Sequence, residues 1–167
     1  MKLAVLFAIA LLLQFALTAS HLWWGLAACQ TLLLVVVASA RRFDPVGVAW
    51  CGLGAGLASD VLAERIIGPG GIGGAIAGLV VALVVRRFEM EGPLYWIVGS
   101  LLAAACSEVA WLLVIVTLGA RPDHALLDAL TTVVMTGAGG LVVALGERLV
   151  RAWRSPARRR RRVLRQL

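Results

Sequence analysis

Polar residues are what this chain has least of. Of its 167 residues only 15% are charged, whereas 61% are apolar, and the mean hydropathy is +0.93. No hydrophilic stretch is long enough to fold as a soluble domain beside the apolar runs. Cysteine is limited to Cys29, Cys51 and Cys106, all inside those runs. An odd count without metal-ligand spacing argues against both a disulfide framework and a zinc site, and leaves thiols that pack as small apolar side chains. The two histidines, His21 and His124, lack a clear third ligand, so no metal site is expected. Catalytic signatures are also missing. There is no GxSxG elbow, HExxH pair, phosphate loop or GxGxxG turn after a strand, and Ser59 has no histidine placed to activate it. The repeated aspartates of a magnesium-dependent lipid-headgroup transferase are absent too. The chain is expected to be no enzyme and to carry no cofactor.

What is present is six apolar runs, residues 3–19, 22–40, 45–62, 69–88, 93–118 and 126–146. A hydrocarbon core about 30 Å thick needs roughly 20 apolar residues per crossing helix. These runs are too long and too continuously apolar for the alternating strands of a barrel, and a spanning helix satisfies its own backbone. The expected fold is all-α: a compact bundle of six transmembrane helices over residues 1–147 with a basic tail at 148–167. The first run follows Lys2 as a signal peptide would, but it is long and lacks a clear small-x-small cleavage site before the next run, so it is read as a retained helix.

Threading the runs alternately puts Lys2, Arg41, Arg42, Arg86, Arg87 and the arginines of the tail on one face, fourteen of the sixteen basic residues. Only Arg65 and Arg121 face the other side. Positive charge marks the cytoplasmic side, so both termini are expected there. The net charge of +7 is therefore read as contact with an anionic lipid surface or an acidic face of a cytoplasmic partner, and not with nucleic acid. Arg151 and Arg154 continue the sixth run as an amphipathic turn. Pro156 is expected to interrupt it before Arg158, Arg159, Arg160, Arg161 and Arg162, which form a membrane-surface patch.

Inside the runs, glycine carries the clearest pattern. Gly52, Gly54 and Gly56 line part of the third run, Gly70, Gly74 and Gly78 recur every fourth residue along the fourth, and Thr132, Thr136, Gly140 and Ala144 form a similar stripe on the sixth. Small residues at that spacing let membrane helices approach closely, either within the bundle or against a partner's helix. Asp60 and Glu108 are the notable ionisable groups, both in the half of the membrane away from the tail. A charge there costs on the order of 2.5 to 3.5 kcal/mol and needs compensation, for which Arg65, Ser59, Ser107 and helix ends are candidates. Ser59-Asp60-Val61 is echoed by Ser107-Glu108-Val109, which suggests a repeat of the third-fourth hairpin in the fifth and sixth runs.

The segment from Gly47 through Gly52-Leu53-Gly54-Ala55-Gly56-Leu57-Ala58-Ser59-Asp60 and on to Gly68-Pro69-Gly70-Gly71-Ile72-Gly73 resembles the rod shape-determining protein MreD family. That family has a glycine-rich span ending in GL and an aspartate, a proline-glycine turn opening the next span, and a later span with an embedded acid like Glu108. The resemblance implies a multi-pass scaffold of the bacterial inner membrane. Such a protein binds the bitopic protein MreC and helps couple MreB filaments to a glycan polymerase and a penicillin-binding transpeptidase that build lateral peptidoglycan. The glycine stripes, Asp60 and Glu108 would then govern assembly. Two other readings stay open: a substrate-binding subunit of an energy-coupling-factor vitamin transporter, and a small proton-coupled transporter using the two acids.

Overall fold

The computed structural model describes residues 2–19, 29–63, 67–119 and 125–163, with side chains except at 2–4, 18–19, 125 and 154–163. The described residues form six α-helices and no strand: α1 Lys2–Ala19, α2 Thr31–Ala40, α3 Pro45–Leu62, α4 Pro69–Phe88, α5 Pro93–Thr117 and α6 Ala125–Val163. Four segments are long and apolar enough to cross a membrane: α3, α4, α5 and the stretch Leu126–Trp153 of α6. The apolar segments Val5–Leu17 and Thr31–Ala40 are shorter.

Three helices begin where proline predicts. Pro45, Pro69 and Pro93 each occupy the first turn, where a missing N–H costs nothing because the helix has no partner for it there. Gly68 and Gly92 precede two of them with φ of 130° and 72°, backbone that a side chain would strain. The α4 helix closes on Glu89 in the left-handed region at φ 45°, its N–H returning to the Val85 carbonyl.

Two expectations change. Within the second run the helix begins only at Thr31; Cys29 and Gln30 are not helical, and residues 22–28 lie outside the described residues. Side chains from other helices receive the N–H groups of Gln30 and Thr31, so α2 can start inside an apolar run. At the other end, α6 continues through Pro156 to Val163 as one helix instead of stopping. One interior proline costs about 3 kcal/mol, but it enters a helix nucleated many turns earlier and is followed by arginines of high helix propensity.

Packing follows the chain for α3 on α4, α4 on α5 and α5 on α6. The short α2 touches α3, α4, α5 and α6 and carries α1 on its remaining side. Eight of its ten residues are buried, so this helix is the centre of the bundle. Around it Leu32, Val36, Val37, Val48, Val81 and Tyr95 form the core. The outside is apolar as well: Leu12, Trp50, Val61, Leu113 and Val142 are all more than half exposed, a surface suited to lipid.

Candidate functional site

The α3–α4 hairpin is built on glycine. A methyl group on Gly52 would lie 2.1 Å from the Gly74 carbonyl oxygen, and one on Gly56 would lie 1.9 Å from that of Gly70. In return, a methyl on Gly74 would meet the Gly52 carbonyl at 2.2 Å, and one on Gly78 the Val48 carbonyl at 2.7 Å. The helices are therefore in backbone contact, and both stripes face one another and no outside partner. Gly54 points away, with nothing within 4 Å. The stripe on α6 is spent in the same way, since a methyl on Gly140 would lie 2.0 Å from Ser100 Oγ of α5.

Asp60 closes this hairpin. Its Oδ2 accepts the N–H of Gly68 at 3.0 Å and that of Gly70 at 2.9 Å, and the residue is 2% exposed. The carboxylate thus caps the start of α4, where free N–H groups and the helix dipole both favour negative charge. Gly70 must be glycine for this, because a methyl there would lie 2.1 Å from Asp60 Oδ1. Of the candidate compensators, a helix end is the one in contact. Arg65 lies outside the described residues, and Ser59 Oγ donates to its own helix at Gly56.

Glu108 has a different partner. It is buried on α5 and accepts a hydrogen bond from Gln30 Nε2 at 2.9 Å. Gln30 immediately precedes the start of α2. The backbone N–H of Gln30 donates to Thr136 Oγ1 of α6 at 3.1 Å, and that of Thr31 donates to Gln14 Oε1 of α1 at 2.8 Å. The Thr31 hydroxyl lies 2.7 Å from the same Gln14 oxygen and 3.0 Å from the Ala10 carbonyl, within donating reach of either. Three helices, α1, α5 and α6, therefore send a polar group to the non-helical residues at the start of α2. At 1.5 Å per residue, Thr31 stands about 15 Å from the far end of α2 and Glu108 about 22 Å from the start of α5. This is a buried polar junction deep in the bundle, and the principal candidate site.

A second polar cluster lies at the other end of α2. Arg41 stacks over the Tyr95 ring at 3.8 Å and the Trp96 ring at 5.3 Å, and pairs with Glu147 at 3.2 Å. Glu147 also accepts from Trp96 Nε1 at 2.6 Å and pairs with Arg151. The Tyr95 hydroxyl donates to the Val37 carbonyl. Arg41, Tyr95, Trp96 and Glu147 tie α2, α5 and α6 together at the level where the basic residues gather. Arg151 is accounted for by its ion pair; the side chains of Arg154 and Arg158 to Arg162 lie outside those described.

Chemically, the deep junction offers one carboxylate, two amides and two hydroxyls among the described residues. Among the described residues no three of His, Cys, Asp and Glu converge as metal ligands. Sequence reasoning named Asp60, Glu108 and Thr136 but missed Gln14, Gln30 and Thr31. The available signal was polarity inside an apolar run: Gln14 interrupts the first, and Gln30-Thr31 the second. His21 and His124 lie outside the described residues. No family model, curated protein or solved structure matches this chain.

Proposed function

We propose that this chain is a non-catalytic membrane scaffold of the bacterial cell-elongation machinery, a six-span protein with both termini in the cytoplasm. In this role it holds an MreC-like bitopic protein and helps couple MreB filaments to the glycan polymerase and penicillin-binding transpeptidase of lateral wall growth. The observation that carries the reading is the α3–α4 hairpin. The residues that carry the MreD resemblance, Gly52, Gly56, Asp60, Gly68, Pro69 and Gly70, come together there in one interlocked unit, with Asp60 capping the helix that Pro69 opens. A pattern that encodes a rigid hairpin suits a protein whose task is to hold others in place. The apolar outer surface leaves helix faces for a partner.

Depletion should convert rods to spheres, and the purified chain should bring down a single-span partner. Normal shape and normal wall growth after deletion would sink the proposal.

One observation favours a second reading, a small proton-coupled transporter. Interrupted helices and a buried carboxylate deep in the membrane are how transporters build coupling sites. Here Glu108 meets Gln30, a non-helical residue within an apolar run, at the start of α2. Glu108→Gln separates the two, because the glutamine oxygen still accepts from Gln30 while the group can no longer exchange a proton. The scaffold should keep full shape complementation, whereas loss of proton-driven uptake in vesicles with the fold intact would favour transport.

A further inference from the structure

Among the described residues α1 packs on α2 and α3 but not on α6, so a strip of α2 at Leu34 and Ala38 is left partly uncovered between them. The result is a groove of about 560 Å³ open along one side of the bundle. Its floor is Leu34, Val35 and Ala38 of α2; Ile9 and Leu13 of α1 form one wall and Val143 of α6 the other. At one end it reaches Thr31, and at the other Arg41, Arg42, Trp96 and Glu147.

From these features we infer that the groove is a binding site for one anionic phospholipid, with an acyl chain along α2 and the phosphate at Arg41 and Arg42. Length is the first reason. The floor is the ten-residue α2, about 15 Å at 1.5 Å per residue, which matches half of a hydrocarbon core about 30 Å thick. With α2 standing across the leaflet on the basic face, as the charge distribution implies, the groove is as deep as that leaflet and its polar end lies at the headgroups. Charge is the second. Glu147, the acid in the lining, is already engaged by Arg41, Arg151 and the Trp96 N–H. Arg42 is exposed and its guanidinium has no side-chain partner among the described residues, so the mouth of the groove presents net positive charge. A neutral lipid would gain the apolar contact alone; an anionic one gains both. The inference is independent of the scaffold proposal, since it needs only α1, α2 and α6 in a bilayer.

The test uses the full chain, reconstituted in an equal mixture of phosphatidylglycerol and phosphatidylcholine, extracted mildly and weighed by native mass spectrometry. One retained phosphatidylglycerol per chain is expected. Arg42→Gln should lower the preference for phosphatidylglycerol about fivefold, the equivalent of about 1 kcal/mol for one basic residue at an anionic surface. Arg87→Gln removes an exposed arginine that does not line the groove and should change nothing. Ala38→Phe fills the floor and should abolish retention of the lipid while the protein stays monodisperse. Arg42→Gln alone decides the matter if Ala38→Phe does not fold. Equal effects of Arg42→Gln and Arg87→Gln would overturn the inference, as would undiminished lipid on folded Ala38→Phe. So would a protein, not a lipid, captured by a photoreactive group at position 38 in native membranes.

Discussion

Asp60 shows how one carboxylate is kept in an apolar environment. Its Oδ2 is met by two backbone N–H groups at the start of α4, with no cation among its hydrogen-bond partners in the described residues. Asp60→Ala would strand both donors, at about 1 to 3 kcal/mol each. We expect a clear fall in the thermal midpoint of the detergent-solubilised protein. Asp60→Asn, whose oxygen still accepts, should fall less. Similar midpoints for the two variants would show that the cap is not what Asp60 contributes. The glycines give a sharper pair. Gly56→Ala must push α3 from α4, because its methyl would lie 1.9 Å from a carbonyl oxygen, whereas Gly54→Ala meets nothing within 4 Å. The first should destabilise by several kcal/mol, as overpacking against backbone does, and the second should be neutral or stabilising by up to about 1 kcal/mol through helix propensity. Chemical unfolding in mixed micelles measures both.

Among the elements, α2 is the one whose form depends most on its neighbours. The N–H of Gln30, just before it, is received by Thr136 of α6 and that of Thr31 by Gln14 of α1, so two of the donors at its start are met by other helices. Gln14→Leu should remove the side-chain acceptor shared by the Thr31 N–H and hydroxyl, leaving them only the Cys29 and Ala10 carbonyls, and loosen the start of α2. Faster hydrogen exchange at residues 31–34, with α3 and α4 unchanged, is the expected result. Uniform exchange across the bundle would mean that the junction is not a local device. The echo between Ser59-Asp60 and Ser107-Glu108 does not extend to matching roles. Asp60 caps the next helix in sequence, whereas Glu108 reaches back to Gln30, 78 residues earlier.

On the scale of the molecule, charge and apolar length set the expected orientation. Fourteen of sixteen basic residues share a face if six segments cross, and Arg41, Arg42, Arg86 and Arg151 are exposed on α3's, α4's and α6's approaches to it. A fluorescent protein fused after Leu167 should therefore mature and fluoresce, and alkaline phosphatase fused there should be inactive. The opposite pair of results would remove the orientation on which the proposed coupling to cytoplasmic filaments depends. The same arrangement gathers Arg41, Tyr95, Trp96 and Glu147 into a clasp at one end of the bundle, while the buried junction of Glu108 and Gln30 lies deeper.

Much of the helical layout was legible in the sequence because it rests on local chemistry. Prolines at 45, 69 and 93 mark three helix starts, unbroken apolar runs imply helices that satisfy their own backbones, and four-residue glycine spacing marks faces that pack closely. The sites were less legible. Asp60 and Glu108 stood out as costly charges, but nothing near them in the chain told which group would receive each one. The beginning of α2 and the completion of the deep junction were decided only by tertiary structure. In an apolar interior a polar group must be matched by another polar group, not by water, and the matches here join residues 17, 78 and 106 positions apart.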